Sequence, residues 1–300
     1  MPLAEIAFGL NTGFRNNKRL NNEYLSASFS LGSAACWGAG DFTGGIGAKG
    51  TNAFGVVVVA HGTGLLVMFG LALFTGEAFP SQTALLWGMT AGITGGVGLA
   101  ALYKALAVGH MGINAPIAAV ITAALPVIFG IWHEGLPSAV QIVGFALAAL
   151  AIWLIAMPQG EAGRPHGLGL AITSGIGFGL YLICSKQAAR EAVYWPLVVA
   201  RVASMVEMFL LLVITHSRTW TPPIKLLPYM MFSGLMDSAG NALFVYAVRH
   251  GRLDVATVLS SLYPATTVLL ARFILKEKIH GMQAAGMIAA LLSVPLIAAG

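Results

Sequence analysis

The sequence predicts an all-α integral membrane protein with about ten transmembrane helices in two inverted five-helix repeats. Three observations support this fold class. Hydrophobic residues make up 57% of the 300 residues and charged residues 9%, whereas soluble domains contain about 25% charged residues. The apolar residues form ten stretches of the length that crosses a bilayer, which is about 20 residues. A segment that begins at Gly98 recurs from Gly240, at an offset of about 142 residues.

The ten predicted spans are separated by short polar segments. These segments carry the polar and turn-forming residues. Because the separators are short, we expect consecutive helices to be neighbours and expect no extramembrane domain. The spans are predicted at 28–47, 53–74, 83–107, 113–132, 138–157, 167–186, 194–215, 226–248, 254–275 and 280–299.

The repeat divides the chain into four parts. A basic, flexible cytosolic leader is predicted at 1–27, the first five-helix repeat at 28–157, a connecting loop at 158–166 and the second repeat at 167–300. Since each unit has an odd number of spans, the second must cross the membrane in the opposite direction to the first. The paired landmarks are a glycine turn (Gly109, Gly251), a helix proline (Pro126, Pro264), a loop glutamate (Glu134, Glu277) and a glutamine that opens the next helix (Gln141, Gln283).

The net charge of +5 and the pI near 9.4 do not indicate a nucleic-acid-binding protein. The basic residues are scattered over loops and helix ends instead of forming a stripe. They also divide evenly between the two membrane sides, so only the basic leader favours cytoplasmic termini. Cys36 and Cys184 lie in apolar stretches without metal-ligand spacing. We therefore expect both cysteines to be small buried side chains, with neither a metal nor a cofactor.

Four sequence motifs are distinctive. They are WGAGDFTGG in the first span, ALYKALAVGHMGINAPI at the turn after the third, ALPVIFGIWHEGLPSAVQIVG across the fourth and fifth, and LYPATTVLLARFILKEKIHGMQAAG in the second repeat. Over about residues 28–299 the chain resembles the drug/metabolite transporter superfamily, in its EamA-type branch of ten-helix proteins. The resemblance implies secondary transport without ATP, commonly efflux of metabolites or drugs. Pro126 lies about one turn later than Pro264 in its repeat, which predicts that the two halves are not equivalent at the site.

Ionisable residues at membrane depth are costly, so each one within a span is a candidate for function. Asp41 lies four residues after Trp37 and therefore on the same helix face. An aromatic wall beside a carboxylate suits cation binding or proton coupling. The alternative is a carboxylate near the membrane interface.

Two other spans carry polar candidates. Asp237 and Asn241 also share one face, where they could bind polar substrate groups or bridge to another helix. Arg201 and Glu207 lie on different faces of one helix, because six residues correspond to about 240°. His61 is the repeat counterpart of Arg201. For these last three residues a structural role, such as a pair with Asp237, is the alternative to substrate or proton contact.

Three tyrosines lie within apolar helices and complete the candidate set. They could line a cavity for aromatic or amphipathic substrates, or they could pack and anchor the helices. Pro264 directly follows the last of them and should kink its helix, which frees backbone carbonyls. The three are Tyr103, Tyr181 and Tyr263.

Together these features predict a secondary active transporter in a cell membrane, with small molecules and the lipid bilayer as partners. It would export small metabolites or amphipathic compounds by alternating access, with protons as the candidate coupling ion. The alternatives are a facilitative channel or permease without ion coupling, and a scaffold or sensor without transport. A membrane enzyme would need a converging catalytic cluster, and His133-Glu134 stands alone. The oligomeric state is open between monomer and homodimer.

Overall fold

The fold is described from a computed structural model. Its backbone is described for residues 3–48, 53–108, 111–156, 167–214, 222–276 and 278–299. The predicted connecting loop at 158–166 and the loop residue Glu277 lie outside these ranges. Within the described helices, the side chains of 3–20, 48, 53, 103–104, 106–108, 111–116 and 156 are also not described.

The described chain is helical throughout and contains no strand, which confirms the all-α class. A helix suits the bilayer, because each of its backbone N–H and C=O groups within the hydrocarbon finds a partner inside the same helix. The helices are α1 (Leu3–Ala48), α2 (Ala53–Phe74), α3 (Gln82–Val108), α4 (Met111–Glu134), α5 (Ala139–Ala156), α6 (Leu168–Ala188), α7 (Tyr194–Ile214), α8 (Leu227–His250), α9 (Leu253–Ser260), α10 (Tyr263–Ile274) and α11 (Gly281–Ala298).

Two helices differ from the predicted bounds. Helix α1 extends from Leu3 to Ala48, so helix continues through most of the segment predicted as a leader. The predicted span 254–275 is divided into α9 and α10 by a turn at Ser261 and Leu262. Pro264 lies in the first turn of α10, where its missing N–H costs no helical hydrogen bond. When α9 and α10 are counted as one span, the predicted number of ten spans is met.

The helices differ in polarity according to their position. Among the described residues, seven helical segments are long and apolar enough to cross a membrane, and the shorter α5 is apolar as well. The two α-helices outside this set, α1 and α8, are more polar, since they carry Asp41, Asp237 and Asn241. They contain many glycines. They also pack closely on each other, so the chain places its polar spans together inside the bundle.

The helix contacts follow a two-fold pattern. Helix α1 packs on α8 as α6 packs on α3, and α2 packs on α8 as α7 packs on α3. Likewise α1 contacts α9 and α10 as α6 contacts α4. The pairs α2–α7, α4–α9 and α5–α11 join equivalent helices of the two repeats. This exchange of partners is the packing expected of a duplicated five-helix unit.

Individual contacts repeat at the same offset. A Cβ placed on Gly144 would lie 2.7 Å from Ile297 Cγ1, and one on Gly286 would lie 2.8 Å from Ile155 Cγ1. Both residues of the first contact are related to those of the second by 142 positions. The two repeats therefore use equivalent glycines to bring α5 and α11 together.

A second symmetric pair lies near the middle of the bundle. Gly98 faces the ring of Phe178, whose Cδ1 would be 3.1 Å from an added Cβ. Gly240 faces the ring of Trp37, with Cδ1 at 2.5 Å from an added Cβ. The offsets are 142 residues for the glycines and 141 for the rings. Trp37 and Phe178 are thus structurally equivalent, and they differ in chemistry.

Candidate functional site

Four polar side chains from three helices form one network, which we call the central cluster. The Arg201 guanidinium of α7 forms an ion pair with Asp237 of α8. Asn241, one turn along α8, donates from Nδ2 to the same Asp237 carboxylate oxygen at 3.3 Å. Trp37 of α1 donates its indole N–H to Asn241 Oδ1 at 3.0 Å. The cluster therefore joins the first repeat to the second through side chains that lie near mid-membrane.

The two charged side chains of the central cluster, Arg201 and Asp237, differ in solvent exposure. The Arg201 side chain is 9% exposed and that of Asp237 is 35% exposed. Pairing is expected at this depth, because an unpaired charge in a low-dielectric interior is very unfavourable. The pairing with Asp237 is the structural alternative that the sequence suggested for Arg201, and it still leaves part of the carboxylate accessible.

Asp41 lies next to the central cluster and is exposed. It lies near enough to Asp237 and Tyr263 to influence both electrostatically. A carboxylate in this part of a span does not face lipid without a large energetic cost, so we expect water or polar groups to reach it. Ser26, fifteen residues earlier in α1, packs against Gly251, which places Asp41 about 22 Å further along the helix axis.

His61 lies at the edge of the central cluster. Its Nδ1 is 3.0 Å from Ser204 Oγ, so α2 and α7 are joined by a hydrogen bond one turn from Arg201. This contact gives His61 a polar partner within the protein. His61 and Arg201 are repeat counterparts that both face the α2–α7 contact, but they have different partners.

The three candidate tyrosines lie on different helices. Tyr181 of α6 packs against Gly95 of α3, where its Cδ2 would be 3.2 Å from an added Cβ. Tyr263 begins α10, and its backbone oxygen would lie 2.5 Å from a Cβ on Gly38 of α1. Tyr103 belongs to α3, and its side chain lies outside the described part of the structure. Tyr181 and Tyr263 thus lie on opposite sides of the central region.

Glu207 does not join the central cluster. Its carboxyl group lies against Gly96 of α3, and Oε2 is buried without a hydrogen-bond partner among the described residues. Glu207 contacts α3, whereas Arg201 contacts α8, so the two side chains leave α7 on different faces. Glu207 therefore belongs to the packing between α3 and α7.

The two-fold relation makes the asymmetry of the site explicit. Trp37 and Asn241 of the central cluster, and the adjacent Asp41, lie on α1 and α8. The equivalent positions on α6 and α3 are occupied by Phe178, Leu182 and Leu99. At these three positions one side of the central region carries polar and acidic groups, and the symmetric side carries apolar ones.

At one membrane face the repeats are joined by a second network, which we call the Glu134 cluster (Glu134, Lys186, Arg252 and Asp254). Lys186 Nζ pairs with Glu134, and the Leu253 N–H donates to the other Glu134 carboxylate oxygen at 2.9 Å. Arg252 donates to the Glu134 carbonyl oxygen at 3.1 Å and pairs with the fully buried Asp254 at 2.7 Å. The cluster closes the end of the bundle at which α4, α6 and α8 terminate.

Sequence reasoning did not find Lys186, Arg252 or Asp254. It placed Glu134 in a loop. In the structure Glu134 accepts from the Leu253 N–H and thereby caps the start of α9. The partners lie in the second repeat, far away in sequence. A signal was nevertheless present, because Arg252 and Asp254 stand together in a separator between two apolar stretches.

The same face is closed by two further carboxylates. Glu77 accepts from the N–H groups of Val193 at 2.7 Å and Tyr194 at 2.8 Å, which caps α7. Glu191 accepts from the hydroxyl and N–H of Ser81 at 2.7 and 2.8 Å, just before α3. These hydrogen bonds to the charged form lower the pKa of Glu191 below its usual value. Each loop thus caps a helix of the other repeat.

Comparison with known proteins agrees with this architecture. The model of the EamA-like transporter family matches residues 165–299. The second repeat is EamA-like. This match agrees with the resemblance that the sequence motifs suggested, and together with the long apolar helices it supports a multi-pass membrane protein. EamA-like proteins are transporters and not enzymes, which fits the expectation of a non-enzymatic chain.

Two further comparisons concern the fold and the repeat. A solved crystal structure of a protein superposes with a TM-score of 0.75 at 15% identity, and the match covers 90% of this chain and 95% of that one. An uncharacterized protein of Methanocaldococcus jannaschii is 26% identical over 132 residues, which are 44% of this chain and 92% of the relative. A relative that is matched almost entirely by less than half of the chain is consistent with a duplicated unit.

Proposed function

We propose that this EamA-like protein is a secondary active transporter that exports small metabolites or amphipathic compounds by alternating access, with protons as the coupling ion. The observation that supports this most strongly is the asymmetry of the central region. Trp37, Asp41 and Asp237 can receive a cationic end, whereas Phe178 and Leu182 occupy the symmetric side. An amphipathic cation has the matching division into a charged and an apolar part.

The arrangement of the two faces supports alternating access. The Glu134 cluster joins the repeats at one face, and Asp41 lies far from that face on an exposed part of α1. In an inverted repeat, the two halves can exchange their conformations and thereby open the opposite face. We place both termini on the cytoplasmic side of the cell membrane, since the basic leader favours that orientation.

The binding of cations can be tested by substitution of one aromatic residue. We expect ethidium, a fluorescent amphipathic cation, to raise the thermal unfolding temperature of the purified protein. Trp37→Phe copies the counterpart residue Phe178 and removes the N–H that orients Asn241. Because tryptophan is the best cation–π partner, and a desolvated contact contributes about 1–2 kcal/mol, ethidium should bind about fivefold or more weakly to this variant.

Trp132→Phe provides the matched control, since Trp132 is 86% exposed at the end of α4 and lies outside the central region. It should leave the ethidium-dependent shift unchanged. An equal shift in wild type and Trp37→Phe would remove Trp37 from the binding site. The absence of stabilisation by ethidium and by a wider set of amphipathic cations would contradict the proposed substrate class.

A further inference from the structure

Glu207 lies deep within the membrane part of α7. The helix extends from Tyr194 to Ile214, so Glu207 is three residues past its midpoint, about 4.5 Å along the axis. The hydrocarbon core of a bilayer extends about 15 Å to each side of its centre. The Glu207 carboxyl group is therefore well inside the hydrocarbon, between α7 and α3.

The carboxyl group is held against a glycine. Cδ of Glu207 would lie 2.8 Å from a Cβ on Gly96, and Oε1 would lie 3.4 Å from it. The absence of a side chain on Gly96 is what lets the carboxyl group enter the contact between the helices. Oε2 is buried there, and among the described residues it has no hydrogen-bond partner.

Among the described side chains, none forms an ion pair with Glu207. The described side chains of α3 from Gln82 to Leu102 include no ionisable residue. Lys104, two turns beyond Gly96, has a side chain that is not described. The ionisable groups on the other described elements in contact with α7 are His61 on α2, Tyr181, Cys184 and Lys186 on α6, Tyr229, Asp237, Tyr246, Arg249 and His250 on α8, and Tyr194 and Arg201 on α7 itself.

Two cationic residues of this set already form ion pairs with other carboxylates. Arg201 pairs with Asp237, and Lys186 pairs with Glu134 at the membrane face. An ionised carboxylate in this position would be buried without a counter-charge, which costs several kcal/mol, whereas a neutral carboxylic acid avoids that cost. The packing therefore favours the form that carries a proton.

We propose that Glu207 is a proton-binding site in the seam between α3 and α7, separate from the central cluster. The neutral acid lets the two helices remain in contact at Gly96. Loss of the proton would create a charge that requires water or a cation, and either would separate the helices. A bound metal ion is a poor alternative to a proton at this site. The described residues contain no group of three or more His, Cys, Asp or Glu side chains that could hold one.

A carbodiimide that dissolves in lipid tests this proposal without a transport assay. Dicyclohexylcarbodiimide reacts with a protonated carboxyl group: the carboxyl oxygen bonds to the central carbon, and the proton passes to a carbodiimide nitrogen. The O-acylisourea then rearranges to a stable N-acylurea, so the reagent adds whole and nothing leaves. We expect peptide mass spectrometry of the full-length protein in liposomes to find this adduct on Glu207, with less labelling as the pH rises.

Three variants and a second reagent sharpen the test. Glu207→Gln should lack the adduct, and Gly96→Ala should reduce it at least severalfold by displacing the carboxyl group from the seam. Lys104→Gln should leave labelling unchanged, and an increase would show that Lys104 keeps Glu207 ionised, which would overturn the proposal. An unlabelled Glu207 at every pH would also overturn it, as would equal labelling by a water-soluble carbodiimide. These outcomes do not depend on the substrate, so they are separate from the proposed transport function.

Discussion

Gly92→Leu is expected to abolish most folded protein in detergent. Gly92 brings α3 into backbone contact with α7, and an added Cβ would lie 2.8 Å from Ala200 Cα and closer still to the Ala200 carbonyl oxygen. Backbone atoms cannot move aside as a side-chain tip can. Overpacking usually costs about 1–3 kcal/mol, and we expect the upper end or more because leucine adds three further carbons. Yield of monodisperse protein and thermal unfolding measure the effect.

The repeat counterpart of Gly92 provides a second variant, and a glycine without close neighbours provides a control. Gly234 meets the backbone of Ala60 as Gly92 meets that of Ala200, so Gly234→Leu should be equally damaging. Gly70 also lies inside a helix but has no atom within 4 Å of an added Cβ. Gly70→Leu should therefore fold with nearly unchanged stability. If Gly92→Leu gave the same folded yield and stability as Gly70→Leu, close backbone contact between α3 and α7 at Gly92 would be contradicted.

Asp237→Leu should be the most damaging change within the central cluster. It leaves the Arg201 guanidinium buried and unpaired, and removal of one partner from a buried pair costs about 3–5 kcal/mol. Arg201→Leu should cost less, because the remaining Asp237 side chain is 35% exposed. Asp237→Asn, which keeps an acceptor and loses the charge, should lie between wild type and Asp237→Leu.

A double-mutant cycle isolates the interaction between the two charges. Arg201→Leu with Asp237→Leu should be more stable than the sum of the single variants predicts, by about 1–3 kcal/mol. Thermal or denaturant unfolding in a fixed detergent provides the four values. Additive losses would mean that the two side chains contribute independently and that the ion pair does not stabilise the protein.

Much of the fold could be predicted because the bilayer imposes simple requirements on sequence. A span needs about 20 apolar residues, and the offset of about 142 residues identifies the duplication directly. The division of α9 from α10 was harder to predict, since Pro264 marks a break without fixing where the preceding helix ends. The helical extension of α1 toward Leu3 was also missed, because a polar segment gives no apolar periodicity.

The site was predictable where its residues share a helix face and less so where they come from different repeats. Spacing of four residues grouped Trp37 with Asp41 and Asp237 with Asn241. The hydrogen bond from Trp37 to Asn241 joins positions 204 residues apart, and nothing in the local sequence specifies it. The asymmetry became visible only when the repeat offset could be applied to contacts observed in the structure.

We propose that Asp41 couples proton movement to the transport of an amphipathic cation. The direct measurement is ethidium flux in proteoliposomes as a function of pH, with and without a pH gradient, for wild type and Asp41→Asn. Asp41→Asn keeps the size and polarity of the side chain and cannot ionise, so it should fold normally, lose gradient-driven flux and retain slow downhill flux.

Asp41→Glu should keep partial activity with a displaced pH optimum, because it can still ionise from a slightly different position. For wild type we predict accumulation against the ethidium gradient when a pH gradient is imposed, and none for Asp41→Asn. Identical pH profiles for the two proteins would contradict the claim that Asp41 is the coupling group. Downhill flux alone in wild type, without a response to the pH gradient, would instead identify a facilitative permease.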